Sequence, residues 1–352
     1  MQGIIEYGDD YVGDEFYWVA CELYITTGKD KYLDYIKNST HYLEIPTTLT
    51  GGIDADTTGC FDWCNTAGLG TLSLSMFTNG LSASDVATAR ANIIKAADEF
   101  ILIANSQGYG VPIKECTIDG LITNSNGEVS STVGFPYNSN SFILNEAIVM
   151  AYAFDYSYQN NKYLNGMVEA MDYLLGRNPR NQSYITGYGD KPLENPHHIF
   201  WDYRNDDSLP HPPAGCLSIG PNSGLQDDWT KGAGWKVAEI PPEKCFMDCA
   251  ESWSTNNLDI NLNAPLAWVS AYLDENIIKP PPPPLFGDVN EDYSIDALDI
   301  TIIKQFLLTQ NESLIINRFN ADVNGDSFIN ALDFALIKMF LLGSITTFPV
   351  GG

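Results

Sequence analysis

The sequence predicts an all-α protein in two parts. Three observations predict it: apolar residues recur at helical spacing from residue 14 onward, a run of prolines breaks the chain near residue 280, and a 21-residue segment repeats beyond that break. The first helix is read from "DEFYWVACELYITTG", which puts Phe16, Val19, Ala20 and Leu23 on one face and stops at Gly28. A second comes from "SASDVATARANIIKAADEFILIA", where polar cap candidates precede Val86, Ala89, Ile93, Ala97 and Phe100 at helical spacing. In "NKYLNGMVEAMDYLLG" the residues Leu164, Val168, Met171 and Leu175 do the same before Gly176. Between about residues 177 and 252 the chain is instead rich in Pro, Gly, Asn, Trp and His, the composition of long loops. Loops on a helical scaffold usually carry the chemistry.

With 352 residues, 44% of them hydrophobic, the chain can bury a large core. Its 18 basic and 45 acidic residues leave a formal charge of −27. Such a field repels phosphates, so nucleic acid and anionic lipid are not expected partners. No apolar run approaches the roughly 18 residues of a membrane span, and "MQGIIEYGDD" has neither the basic nor the apolar part of a signal peptide. From sequence, then, the chain is either cytosolic or lacks its true N-terminus. The seven cysteines are too few and scattered for a disulfide scaffold, and the pairs Cys60/Cys64 and Cys245/Cys249 miss the usual zinc spacing. Buried thiols or a local disulfide are the readings for them.

"KPPPPP", Lys279 to Pro284, forbids regular structure because successive prolines lack amide donors and favour a stiff spacer. Residues 277–285 are therefore read as a linker between a domain over 1–276 and a small one over 286–344. In the small domain, "DVNEDYSIDALDITIIKQFLL" from Asp288 and "DVNGDSFINALDFALIKMFLL" from Asp322 are offset by 34 residues and agree at 13 of 21 positions. Each repeat sets oxygen-bearing side chains at loop positions 1, 3, 5, 9 and 12. These are Asp288, Asn290, Asp292, Asp296 and Asp299, then Asp322, Asn324, Asp326, Asn330 and Asp333. A twelve-residue loop with that spacing wraps hard oxygens around calcium before feeding a helix, so two calcium ions are expected. Simple helix capping would need only one such residue per helix.

This pair of loops resembles a type I dockerin, the module that plugs cellulolytic enzymes into a cohesin-bearing scaffold. The resemblance implies cohesin contacts at Ala297, Leu298, Lys304 and at Ala331, Leu332, Lys338, an apolar and nearly symmetric surface. Loop position 6, which usually demands glycine, holds Tyr293 and Ser327. Weaker calcium binding in loop one is the expectation that follows.

The larger part resembles glycoside hydrolase family 9 through "SYITGYGDKPLENPHH" (183–198) and "FMDCAESWSTNNLDINLNAPLAWVSAYL" (246–273), with helix-like support from "YGDDYVGDEFYWVACELYITTGKDKYLD" and "YLLGRNP". That resemblance implies an (α/α)6 barrel acting on β-1,4-glucans with inversion, secreted into a cellulosome. Inversion needs one carboxylate to deprotonate water and one carboxyl to protonate the leaving oxygen. The family's water-activating Asp-Ala-Gly-Asp motif does not occur in this chain, which implies a partial barrel whose N-terminal part is missing. The family pattern Asn-Glu-hydrophobic-small-x-Asn-x-Asn-Ala reads here Asn256, Asn257, Leu258, Asp259, Ile260, Asn261, Leu262, Asn263, Ala264.

Asn257 thus stands at the general-acid position, and an amide has no proton to give. Asp259 is expected to point elsewhere, since two residues along a helix or turn change the direction of a side chain. Glu251 is read as an ordinary solvated carboxylate. His197 matches the family's substrate-binding histidine, with His198 beside it, while the arginine expected two residues after His197 is Ile199. Asp248 matches the aspartate before the second motif. Trp201, Trp229, Trp235 and Trp253 crowd these loops, and Trp201 and Trp253 are the chosen stacking surfaces for sugar rings. The resulting reading is a cellulosomal family 9 β-1,4-glucan hydrolase impaired in this chain. A non-catalytic glucan-binding component and a decayed gene product are the alternatives.

Overall fold

The structure is a computed structural model and describes residues 11–50, 56–123, 129–276, 285–290, 294–311, 314 and 317–351. Two compact units emerge, Met1–Asn276 and Ile277–Gly352. The proline run Lys279–Pro284 lies outside the described residues. No helix among those described is long and apolar enough to cross a membrane.

The first unit is built from α1 (Gly13–Thr27), α2 (Asp30–Asn38), α3 (Ala67–Met76), α4 (Ala83–Ser106), α5 (Ser139–Tyr156), α6 (Asn161–Leu174), the short α7 (Asp228–Gly232) and α8 (Trp253–Asn256), and α9 (Ile260–Asn276). Its hub is α5, which packs on α4, α6 and α9. "SNSFILNEAIVMAYAFDY" is apolar almost all round and is buried along most of its length. Such a helix has no solvent face to offer and belongs in a core. The start of α5 is pinned by polar contacts: Ser139 Oγ donates to the Pro221 carbonyl at 2.7 Å and Asn140 Nδ2 to that of Ser218 at 2.9 Å. These bonds draw the 217–223 loop, and with it the candidate site, onto the hub.

Among the described residues the helical expectation holds for the first unit with one addition, an antiparallel hairpin of β1 (Cys116–Thr123) and β2 (Val129–Gly134) that pairs Cys116 with Gly134 and Ile118 with Thr132. β-Branched residues flanking the sequence Asn126-Gly127 are the signal for it. Helix α4 buries Ala89, Ile93, Ala97 and Phe100 as read, and Ser82 caps it by accepting from the Asp85 amide at 3.1 Å. On α6 the expected Leu164, Val168, Met171 and Leu175 are half-buried against the core, whereas Tyr163, Met167, Ala170 and Tyr173 are fully inside.

Helix α1 requires a larger correction. It runs to a left-handed Gly28 as expected, but it buries Tyr17, Ala20, Cys21 and Tyr24, leaving Phe16 59% and Val19 49% exposed. Tyrosine takes the inward place because its hydroxyl is satisfied there. Tyr17 Oη accepts from the Leu43 amide at 3.0 Å and shares a hydrogen bond with Thr71 Oγ1 at 3.1 Å. The seven cysteines are all unbridged thiols, so the local-disulfide reading gives way; five are buried, while Cys216 and Cys249 are half-exposed.

In the second unit α10 (Ala297–Thr309) packs on α12 (Ala331–Leu341), with α11 (Arg318–Ala321) between them in sequence. Its core consists of Val289, Ile303, Phe306, Ala321, Val323, Ile337 and Phe348. Val289 and Val323 are repeat equivalents, as are Ile303 and Ile337. One duplicated apolar pattern thus supplies both halves of one small core.

Within α5, Glu146 is wholly buried, neither of its oxygens has a hydrogen-bond partner, and burial pushes its carboxyl well above the ordinary value of 4.5. The folded state therefore binds this proton more tightly than the unfolded chain does. Its contribution is intact below the unfolded value and is lost as pH rises toward the folded one. We expect Glu146→Gln to raise the melting temperature at pH 8 and leave it nearly unchanged near pH 4. Equal shifts at both pH values in thermal melts would count against this.

Candidate active site and repeat loops

Helices α8 and α9 are separated by a short break at Asn257, Leu258 and Asp259, where Asn257 adopts extended backbone with φ −67° and ψ 157°. The segment is stitched on both sides. The His197 amide donates to the Asn256 carbonyl at 2.8 Å, and the Ile219 amide donates to that of Asn257 at 3.0 Å. His197 and Asn257 pair as a parallel bridge. In extended chain alternate side chains share a face. Leu258 accordingly turns into the interior, while Asn257 and Asp259 stay together. Asn257 Nδ2 donates to Asp259 Oδ2 at 3.1 Å and to Tyr137 Oη at 3.3 Å. The expectation that Asp259 points elsewhere is therefore corrected, because the segment is neither helix nor turn.

The two histidines present different ring nitrogens. A carbonyl can only accept, so the contact of His197 Nδ1 with the Ala250 carbonyl puts a proton on that nitrogen. His198 Nδ1 accepts from the Phe200 amide at 3.2 Å, which makes Nε2–H its donor. The His198 ring stacks on Trp201 with centroids 4.2 Å apart and planes 24° apart. Burial, and then the neighbouring His197, lower the His198 pKa, while the Asp259 charge opposes them. Trp253, the first residue of α8, is half-buried, and Ile199 is 78% exposed.

Two carboxylates near this segment serve other ends. Asp248 accepts from the Glu194 amide at 3.0 Å through Oδ2 and from the Asn195 amide at 2.7 Å through Oδ1. It thereby clamps the strand of chain that leads to His197. Glu251 accepts from the Cys249 thiol, and that bond, aided by His197, holds its carboxyl below the usual range. Sequence reading missed Tyr137, which lies 120 residues from Asn257 and carries no local signal. It also missed Asp227, buried at the start of α7, which accepts from the Thr230 amide at 2.7 Å and from Ser252 Oγ at 3.0 Å. An aspartate before a short helix is a cap signal, but nothing in the sequence joins it to α8.

In the second unit the position-12 aspartates are equivalent in detail. Asp299 accepts from the Val289 amide at 2.7 Å and the Asp296 amide at 2.8 Å; Asp333 accepts from the Val323 amide at 3.0 Å and the Asn330 amide at 2.9 Å. Both are capping boxes as well as loop residues. In loop two Asp322 gathers the Gly325, Asp326 and Ser327 amides, and Asn324 and Asn330 both donate to Asp326 Oδ2, at 3.0 and 3.3 Å. Burial raises the Asp333 carboxyl, with Asp322 adding repulsion, and Asp299 is raised the same way with Asp288 as its neighbour. Ser327 takes φ 69°, the left-handed conformation that position 6 requires. Asp292 and Tyr293 of loop one lie outside the described residues, and Asp288 and Asn290 lie within them. Ala297, Leu298, Lys304, Ala331, Leu332 and Lys338 are all exposed on α10 and α12.

A profile of glycosyl hydrolase family 9 matches residues 2–270. The chain belongs to glycosyl hydrolase family 9. A dockerin type I domain follows over residues 286–342, and domains of that type generally bind calcium. Among relatives, the chain is 46% identical over 328 residues to a cellulose 1,4-beta-cellobiosidase of Acetivibrio thermocellus, covering 90% of this chain and 35% of that one. It is 33% identical over 279 residues to endoglucanase C of Cellulomonas fimi, covering 78% and 23%. It spans about a third of the length of the curated relatives it matches. Solved structures agree on the fold. A metagenome-derived family 9 endoglucanase aligns at 25% identity and TM-score 0.57, and a family 9 protein of Bacteroides ovatus at 26% and 0.56, each covering 77% of this chain and 42% of the other. These neighbours are (α/α)6 barrels, and the first unit corresponds to part of one.

The family 9 unit depends on Asp248 as a loop clamp, which predicts a stability effect independent of catalysis. Asp248→Ala leaves two loop amides unmatched and should cost about 1–3 kcal/mol in urea unfolding. An unchanged midpoint would remove the clamp.

Proposed function

We propose that this chain is the C-terminal portion of an inverting β-1,4-glucan hydrolase, targeted to an extracellular cohesin-bearing assembly by its dockerin. The observation that carries the reading is the extended 257–259 segment bridged to His197, next to which His198 stacks on Trp201; it supports Asn257, His197 and Trp201 as parts of one site. The proposed domains are a family 9 unit over 1–276, a proline-rich linker over 277–285 and the dockerin over 286–344. The apolar side chains Phe16, Val19, Met76 and Phe77, exposed on and beside α1 and α3, support a unit designed to pack against further barrel helices. In this reading His197, His198, Trp201 and Trp253 bind glucan, and Asp248 keeps His197 in place.

Hydrolysis by the chain as it stands is impaired, because the family's water-activating Asp-Ala-Gly-Asp motif does not occur in its sequence. A glucan-binding role without turnover is the second reading, favoured by the exposed Ile199 where the family has an arginine. The two are separated by assay. The chain should retain cellulose in a pull-down yet release reducing sugar from soluble β-glucan at roughly 10⁻² of a family-typical rate or less, the scale of losing one acid or base group. Turnover at the full family rate would overturn the impairment.

The loops fit calcium, because burial, with a neighbouring carboxylate added, raises the Asp299 and Asp333 carboxyls, and a bound cation would relieve that cost. Asp288, Asn290, Asp292, Asp296 and Asp299 would hold one ion, and Asp322, Asn324, Asp326, Asn330 and Asp333 a second. Bound calcium supplies charge neutralisation and folding energy to the module. Leu298 and Leu332, half-exposed at equivalent positions of α10 and α12, support cohesin binding through either half, with Ala297, Lys304, Ala331 and Lys338 alongside. We expect chelator to reduce the helical circular dichroism of residues 286–344 and calcium to restore it. An identical spectrum in both conditions would exclude metal-coupled folding.

A further inference from the structure

The acid position is not the only place where this chain departs from the family pattern. Where the pattern has glutamate and then, two residues on, a small residue, this chain has Asn257 and Asp259. One carboxyl is lost and another gained two positions away, on the same face of extended backbone, with Asp259 Oδ2 only 3.1 Å from the amide nitrogen at position 257. We propose that Asp259 is the group that meets the glycosidic oxygen of a bound β-1,4-glucan and gives it the proton, the acid having moved from position 257 to 259. The inference rests on the glucan-cleft reading above.

Asn257 then has a defined task. Its amide nitrogen carries two hydrogens, one directed to Tyr137 Oη and one to Asp259 Oδ2, so the carboxyl is oriented between fixed neighbours. The protonated carboxyl of Asp259 carries one transferable proton. In the step, the O–H bond of Asp259 breaks and its proton joins the glycosidic oxygen while the bond from that oxygen to the anomeric carbon breaks, the electron pair staying on oxygen. Water forms the new bond to carbon and gives its proton to a second carboxylate, the base that inversion requires. Glu251 is the weaker candidate, since its carboxyl is engaged by the Cys249 thiol and it lies six positions before the acid position.

The test uses the full chain and a sulfur-linked cellotetraose, which binds without being cleaved, with affinity measured by calorimetry from about pH 4 to about pH 8. Only the protonated acid donates to the linkage atom, so wild-type affinity should fall about tenfold as pH rises, the worth of one hydrogen bond. Asp259→Asn, a permanent donor of the same shape, should bind at every pH as wild type does in acid. Asp259→Ala should bind weakly and without pH dependence. His197 and His198 on the facing loop, Tyr137 before α5 and Glu251 before α8 are the same in all three proteins, so the difference between wild type and Asp259→Asn isolates residue 259. An equal pH slope in those two proteins, or no slope in wild type, overturns the assignment. Absence of binding by all three folded proteins overturns the glucan-cleft reading itself.

Discussion

Everything at the candidate site depends on one short piece of backbone pairing. The chain between α8 and α9 remains extended because the amides of His197 and Ile219 hold the carbonyls of Asn256 and Asn257. Had α8 run on into α9, residues 257 and 259 would diverge by more than half a helical turn. The pairing is itself supported by buried polar contacts: Asn256 Nδ2 reaches the Asn195 carbonyl at 2.6 Å, and Asn222 Nδ2 reaches that of Ser254 at 2.7 Å. Buried amides of this kind are costly unless matched, so the loops have few alternative arrangements.

The helices were legible because their apolar spacing is strong, and α4 needed nothing more. What spacing could not reveal was which face of α1 turns inward, since a tyrosine with a satisfied hydroxyl competes with Phe16 and Val19 for the core. The same limit applies at the site. The motif register located Asn257 and His197, and the structure pairs them, yet Tyr137 came from a distant segment and Asp259 was misjudged. Its direction follows from backbone conformation, which here is set by long-range pairing rather than by local sequence. The repeat loops were the easiest to read, because their chemistry and their fold are encoded by the same residues: Asp299 and Asp333 serve loop and helix together.

This double service explains how closely the two halves correspond. A position that both caps a helix and closes a loop cannot drift without loss on two counts. Position 6 is less constrained, as Ser327 accepts a left-handed conformation at a cost of roughly 1–2 kcal/mol rather than leaving it to glycine. Binding energy from an ion is the natural offset for that cost.

The outward-facing Phe16 and Val19 bear on how the chain behaves in crowded solution. An apolar ridge of this kind would ordinarily draw copies together, but each copy carries a formal charge of −27. Long-range repulsion keeps the ridges apart in dilute buffer, and its reach shrinks to about 10 Å in 0.1 M salt. Dispersal of this protein is therefore a property of its ionic surroundings as much as of its surface.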